Sequence, residues 1–419
     1  MANAYKYQDN PQALIDKLYA NGLVNGNGNG YVQKLINNAI VLKSNAYFWQ
    51  ENFTLEGNEY QIDLGNTQKN PAWTVRQKTN RPVPTADAMA PLSEVAQLDG
   101  EGFVEKTGSM WQFGKGLYDT SMSKLELVAR LQELGNVDGD LLAGYVRGVA
   151  DLVKTHMYTL SHFGAQCISM GGHYDNRKIK GFSAINVDQP AYIPTANFKN
   201  AGAKVWSDPT CDLPEQMRKI EADFRDANNI DPNVQLVWQI PYDMIRTVFL
   251  TNQKMKDEVN RYIRTYAPDK VVVITSGGTS MDADTITQDQ LLAYSRTADI
   301  SKISPIVIAK ESQVVQDITT VRTVQGWDTG KAVLRPLGEG GKCGVIVHST
   351  VADVEILGTG EVNNLVSVNS TKMLNFLYVL NAVSPDGMLK KYITKVIGRY
   401  APVLNEGESH VVVDTTVAG

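Results

Sequence analysis

Cysteine is scarce in this chain: three of 419 residues, Cys167, Cys211 and Cys343. No two stand in a CxxC spacing, which excludes a zinc ribbon or a thioredoxin-like pair; an odd number suits reduced, buried thiols. Histidine is scarce too. The five, His156, His162, His173, His348 and His410, form neither HExxH nor HxxxH, so no helix face offers two metal ligands. Long apolar runs are missing: a stretch such as 271–274 falls far short of the roughly 20 residues that span a bilayer. The opening MANAYKYQDN lacks the basic-then-apolar pattern of a signal peptide, so the expectation is a soluble protein made in the cytoplasm, with no membrane partner. Neither charge sign dominates. Forty basic residues face 45 acidic ones, a net of −5, and binding nucleic acid by bulk charge is disfavoured. With 43% hydrophobic residues the chain is folded, and its length accommodates two or three domains.

Signatures of catalysis are equally sparse. GEGGKC (338–343) has Pro336 where a phosphate loop needs its first glycine and Cys343 where it needs Ser or Thr, so it reads as a Gly-rich turn. SGGTS (276–280) reads as another turn. DADTITQD (282–289) lacks the glycine and terminal Glu of a calcium loop and reads as an N-cap cluster before a helix over 289–296. There is no GxSxG and no HRD-type signature. No catalytic, cofactor-binding or metal-binding residue is assigned, no cofactor is called for, and the protein is expected not to be an enzyme.

What is present is an unusual order of segments. Residues 1–44 read as a short helical arm, broken by NGLVNGNGNG and too small to bury its own apolar face. Residues 45–120 are long, polar and weakly patterned, with sorted charge. Lys69, Arg76, Lys78 and Arg81 occupy 66–81 with no acid among them; Asp87, Glu94, Asp99, Glu101 and Glu105 occupy 82–105 with no base. The two blocks pair as arms of a hairpin or face the opposite sign on an adjacent copy, and all nine are candidate inter-subunit contacts. Residues 138–163 carry the strongest helical period, and Leu142, Tyr145, Val146, Val149, Val153, Met157 and Leu160 are its expected buried face, with Gly164 as its end. Beyond it, FSAINV (182–187), VQLVWQI (234–240), KVVVIT (270–275) and SPIVIAKE (304–311) read as strands. Helices open at Pro214 and Pro241, with a third over 253–264. YITKVIGRYAPVL and SHVVVDTTV read as a hairpin around 405–408. The class is α+β.

This order resembles the major capsid proteins of tailed phages, the lambda-type capsid protein E group with the Hong Kong 97-type fold. The resemblance runs over roughly 125–419. It is carried by the long helix ending in GAQCISMGG, by VWSDPTCDLPEQMRKIEADFRDANNIDPNVQLVWQIPYDMIRTVFLTNQKMKDEV (205–259), by DQLLAYSRTADISKISPIVIAKE (289–311), by GWDTGKAVLRPLG (326–338) and by YAPVLNEGESHVVVDTTV. Position alone matches 45–120. The resemblance implies an N-terminal arm (1–44), an extended loop (45–120), a peripheral domain (121–204) with spine helix 138–163, an axial domain (205–380) and a C-terminal return to the peripheral domain (381–419). It further implies self-assembly into hexamers and pentamers of an icosahedral head around double-stranded DNA. Scaffold, portal and decoration or head-completion proteins are the implied partners, and packaged DNA is met only by weak contact. The alternatives are an encapsulin-like compartment shell and, from another class, a soluble α+β enzyme.

Overall fold

The computed structural model describes residues 47–55, 72–78, 103–119, 139–171, 173–175, 186–188, 193–228, 230, 234–266, 273–276, 279–282, 286–297, 303–310, 314–315, 323–349, 365–367, 377–384, 391–405 and 407–419. The expected arm, 1–44, lies outside them. The α-helices of five or more residues are α1 (Phe48–Asn52), α2 (Gly139–Ser169), α3 (Leu213–Ala227), α4 (Gln253–Tyr266) and α5 (Gln288–Ser295), and a helical stretch, Tyr242–Met244 continued by Ile245–Phe249, follows Pro241. The strands are β1 (Phe53–Leu55), β2 (Ala72–Lys78), β3 (Phe103–Ser109), β4 (Trp111–Asp119), β5 (His173–Asp175), β6 (Asn186–Asp188), β7 (Phe198–Asn200), β8 (Leu236–Pro241), β9 (Val273–Ser276), β10 (Thr279–Asp282), β11 (Ile306–Ala309), β12 (Val314–Val315), β13 (Thr323–Val324), β14 (Lys331–Pro336), β15 (Gly344–Ser349), β16 (Leu365–Ser367), β17 (Leu377–Ser384), β18 (Lys391–Leu404) and β19 (Val411–Asp414).

Two lobes share one wall. That wall is a mixed five-stranded sheet, β11–β8–β14–β19–β7. Its strands alternate between two cores, as a period of two requires. Ala332, Leu334, Val411 and Val413 enter one core, while Val333 and Val412 between them enter the other. Burial on both faces explains why Leu236–Pro241 is buried at every position and reads as a nearly unbroken apolar run.

In the first lobe, α2 lies on a second sheet whose central strand is the 14-residue β18. Gln112 and Ser349 both pair with Arg399, and Phe113 and Leu377 both pair with Gly398. So β4 runs along one edge of β18, and β17 followed by β15 runs along the other. β1 adds in parallel to β15. At 31 residues α2 is about 46 Å long. It passes the expected stop at Gly164, which serves packing instead. A Cβ there would sit 2.8 Å from a ring carbon of Phe53, so glycine lets β1 approach the helix. The helix ends before Gly171, whose φ of 69° is the left-handed geometry glycine adopts cheaply.

In the second lobe, α3, α4 and α5 cover the other face of the wall. Asp212 caps α3 by accepting from the Glu215 amide at 3.3 Å. The expected acidic cap on α5 is corrected: Thr287 accepts from the Gln290 amide at 3.2 Å, and the Gln290 side chain returns to the Thr287 amide at 2.7 Å. The core is aromatic, with Trp206 edge-on to Trp238 and Phe249 at 5.8 and 5.9 Å between centroids.

Two further expectations change. The closing hairpin does not form: β18 pairs with β15, β17 and β4, whereas β19 crosses to the wall and pairs with β14 and β7. Two adjacent alternating segments are free to join different sheets when both sheets bury apolar faces. The span expected for the axial domain also divides, since β15, β16 and β17 belong to the sheet beneath α2. At the other end, α1 and β1, inside the expected extended loop, belong to the body. Phe48, Trp49 and Phe53 are part of the first core.

Candidate functional site

Where the lobes meet, a polar network replaces the apolar core. Gln239 on β8 and Arg335 on β14 project from the wall toward α1. Arg335 is only 2% exposed. Its Nε donates to Gln239 Oε1 at 2.7 Å, and its terminal nitrogens donate to Asn52 Oδ1 at 3.2 Å, the Pro336 carbonyl at 3.1 Å and the Gly341 carbonyl at 3.3 Å. Gln239 Nε2 donates to the same Asn52 oxygen at 2.9 Å, and Asn52 Nδ2 donates to the Phe48 carbonyl at 2.9 Å. Asn52 thus joins α1 to both wall residues. Every acceptor around Arg335 is neutral. Such a network stabilises only while complete, because a buried donor left unmade costs about 1–3 kcal/mol, more when charged.

The network floors a cleft of 710 Å³. Glu51, Lys342 and the turn at Gly340 and Gly341 form one side; Lys310, Arg296 and Gln288 belong to the other lobe. The expected Gly turn is present: Gly340 and Gly341 have φ of 62° and 82°. Lys342 Nζ donates to the Gln50 carbonyl, and burial pushes its amine down. Burial pushes the Glu51 carboxyl up, against the pull of Lys310 and Lys342. Asn52, Gln239, Arg335, Lys310 and Lys342 were not singled out from the sequence. One signal was there: a glutamine inside the apolar run VQLVWQI is costly to bury without a partner.

The second feature is a ribbon. β2 and β3 pair antiparallel with each other and, among the described residues, with no other strand. After Met110 the chain continues as β4 against β18, so 103–119 is nearly one extended segment, about 55 Å at full stretch. Of the nine charged candidates, Arg76 and Glu105 lie directly opposite in register, and Lys78 lies opposite Phe103. Opposite charges thus face each other across the ribbon at this one pair. Lys69, Arg81, Asp87, Glu94, Asp99 and Glu101 lie outside the described residues.

Third is the interface of α2 with its sheet. Val153, Met157 and Leu160 are fully buried. Leu142, Tyr145, Val146 and Val149 lie on α2, with side chains outside the described set. His156 is buried beneath β18. Its Nε2 is 2.9 Å from the Val396 carbonyl, which can only accept, so Nε2 carries the proton. Nδ1 then accepts from the Tyr400 hydroxyl at 3.0 Å. Burial pushes this imidazole down to about 4. The three cysteines are free and buried, and burial raises each thiol. Among the described residues no cluster of His, Cys, Asp and Glu could hold a metal ion, and no helix is long and apolar enough to cross a membrane.

No family model matches the chain, and no curated protein matches it. Solved structures do. A phage-related protein from Bordetella bronchiseptica RB50 is 13% identical at a TM-score of 0.42, covering 91% of this chain and 96% of that one. The mature capsid of bacteriophage PhiM1 is 9% identical at 0.40, covering 89% and 88%. A virus-like particle from Pyrococcus furiosus is 9% identical at 0.33, covering 91% and 97%. These likenesses span nearly whole chains, but at TM-scores below 0.5 they leave function to be argued from this chain's own residues.

Proposed function

We propose that this chain is the major capsid protein of a tailed phage, assembling into hexamers and pentamers of an icosahedral shell around double-stranded DNA. The carrying observation is the β2–β3 ribbon. A two-stranded hairpin is marginal in water without a third strand or a packed face, so one that, among the described residues, pairs only with itself needs a surface to lie on. A neighbouring copy supplies that surface at every subunit contact. In this reading the α2 lobe is the peripheral domain, the α3–α5 lobe is the axial domain, and the ribbon is the extended loop. Weak contacts repeated over many copies hold a shell together through effective concentration. A net charge of −5 suits a container that must not grip the polyanion being packed into it.

The test is assembly. Purified protein, alone or with its scaffold, is expected to give capsomers or closed shells by negative-stain microscopy; a monodisperse monomer at every concentration and salt overturns the reading. Arg76→Glu is expected to impair assembly while moving the monomer's stability by no more than about 1 kcal/mol, the worth of one cross-strand pair of opposite charges. Adding Glu105→Arg restores the opposite signs across the ribbon and is expected to recover part of the assembly. Shells enclosing a protein cargo in place of DNA would point to a compartment shell.

A further inference from the structure

Among the described residues, the lining of the cleft between the lobes is mainly cationic. Arg296, Lys310, Arg335 and Lys342 line it with the carboxylate of Glu51. Among the described residues no carboxylate oxygen lies within ion-pair distance of any of the four. Arg335 spends its donors on one side-chain amide oxygen from each of Gln239 and Asn52 and on two backbone carbonyls. These satisfy its hydrogen bonds and leave its charge uncompensated in a buried place. Lys342, half-buried, likewise has a backbone carbonyl as its partner. Lys310 and Arg296 stand exposed at the rim, Lys310 near enough to act on the Glu51 charge but in no described ion pair. A concave site with several convergent cations at graded depth is complementary to a multivalent anion, and low local dielectric strengthens that attraction.

We propose that this cleft binds a multivalent oxyanion of the phosphate or pyrophosphate class, held by Lys342 from the first lobe and by Lys310 and Arg296 from the second, above Arg335. Because the cations come from both lobes, the bound anion ties the lobes together. The inference concerns the single chain and stands or falls independently of shell assembly.

The experiment is a thermal-unfolding titration of the full-length chain with sodium pyrophosphate, against sodium chloride at matched ionic strength. The expected result is a rise in Tm of several degrees that saturates with pyrophosphate and is absent with chloride. Lys310→Gln, at an exposed position where folding is not at stake, is expected to raise the half-saturating concentration about tenfold, and Lys342→Gln to do the same or more. Lys219→Gln, on α3 and outside the cleft, is expected to leave it unchanged. Inorganic phosphate, with fewer charges, is expected to bind more weakly at the same site. The proposal is overturned if chloride matches pyrophosphate, if both cleft variants keep the parent half-saturation, or if Lys219→Gln shifts it as far as they do.

Discussion

The two lobes solve the same packing problem with different polar chemistry. Beneath α2, two buried groups are neutral and point inward: His156 to Tyr400 and Val396, and the Cys167 thiol to the Pro402 carbonyl at 3.7 Å. The described ion pair on α2, Lys154 with Asp151, spans less than one turn and faces solvent. In the second lobe, charges join separate elements. Arg218 on α3 clasps Glu258 on α4 with bonds of 3.0 and 2.9 Å, and Tyr294 on α5 donates to the same carboxylate at 2.5 Å. Lys331 and Asp414 link β14 to β19 at 2.6 Å. The difference is one of geometry. A helix laid on a sheet buries a whole stripe and leaves little room for charge, whereas three short helices on a wall have exposed flanks where charged pairs can form. The first lobe is therefore expected to fail through its core and by acid, and the second to give way to salt.

The largest effect should come from Val153→Asp. Val153 is fully buried in the core between α2 and its sheet, so a carboxylate there would be cut off from water. Burying it unpaired is expected to cost on the order of 4–5 kcal/mol. Insoluble protein, or a urea midpoint that collapses for the α2 lobe, is the expected reading. A shift under 1 kcal/mol would mean that this face of α2 yields to solvent, and the contrast between the lobes would fail.

The α2 stripe was readable in the sequence because its signal is local: apolar residues at steps of three and four point to one face whatever that face meets. The wall was less readable. VQLVWQI and KAVLRP announce strands, but which residues reach which core depends on partners far away; Leu334 pairs with Val411, and Trp238 with Leu334. The expected closing hairpin failed for the same reason, since two neighbouring alternating runs carry no mark of the sheet each will join. Gly164 misled because glycine ends helices and also admits close neighbours, and only Phe53, over a hundred residues earlier, decides between the two. The junction was hidden most deeply. Nothing near Arg335 in the sequence reveals that Asn52 and Gln239 will be its partners.

Acid should separate the lobes next. His156 is held near 4 in the folded chain and returns to about 6.5 when unfolded. Between those values the unfolded state binds more protons, so stability is full above about 6.5 and falls as the pH drops toward 4. The loss from this group amounts to about 3 kcal/mol. His348, whose imidazole burial also lowers, adds in the same direction. Urea midpoints taken at half-unit steps from pH 7.5 to 4.5 should show a smaller decline for His156→Gln than for the parent chain. Parallel curves would assign the acid sensitivity elsewhere.

The smallest effect expected is that of Glu258→Gln, and it tests the other side of the contrast. Burial raises the Glu258 carboxyl, but the hydrogen bonds from Arg218 and Tyr294 outweigh it and hold the group below its usual range. A carboxylate so depressed contributes stability above its ordinary value, and loses it only as the pH falls through the lower, folded value. From pH 5 to 7 its contribution is constant, so the decline over that range belongs to the histidines and not to Glu258. Glutamine keeps the shape, retains one acceptor for Arg218, and turns its amide toward guanidinium donors. Arg218 keeps Glu215 at 3.1 Å, a partner largely in solvent. The expected cost at pH 7 and low salt is about 1 kcal/mol. Raising sodium chloride from 0.05 to 1 M shortens the screening length to about 3 Å and should shrink the difference between parent and variant. A salt-independent difference would mean that the clasp acts by shape and hydrogen bonding alone, as the His156 site does, and that both lobes use one strategy after all.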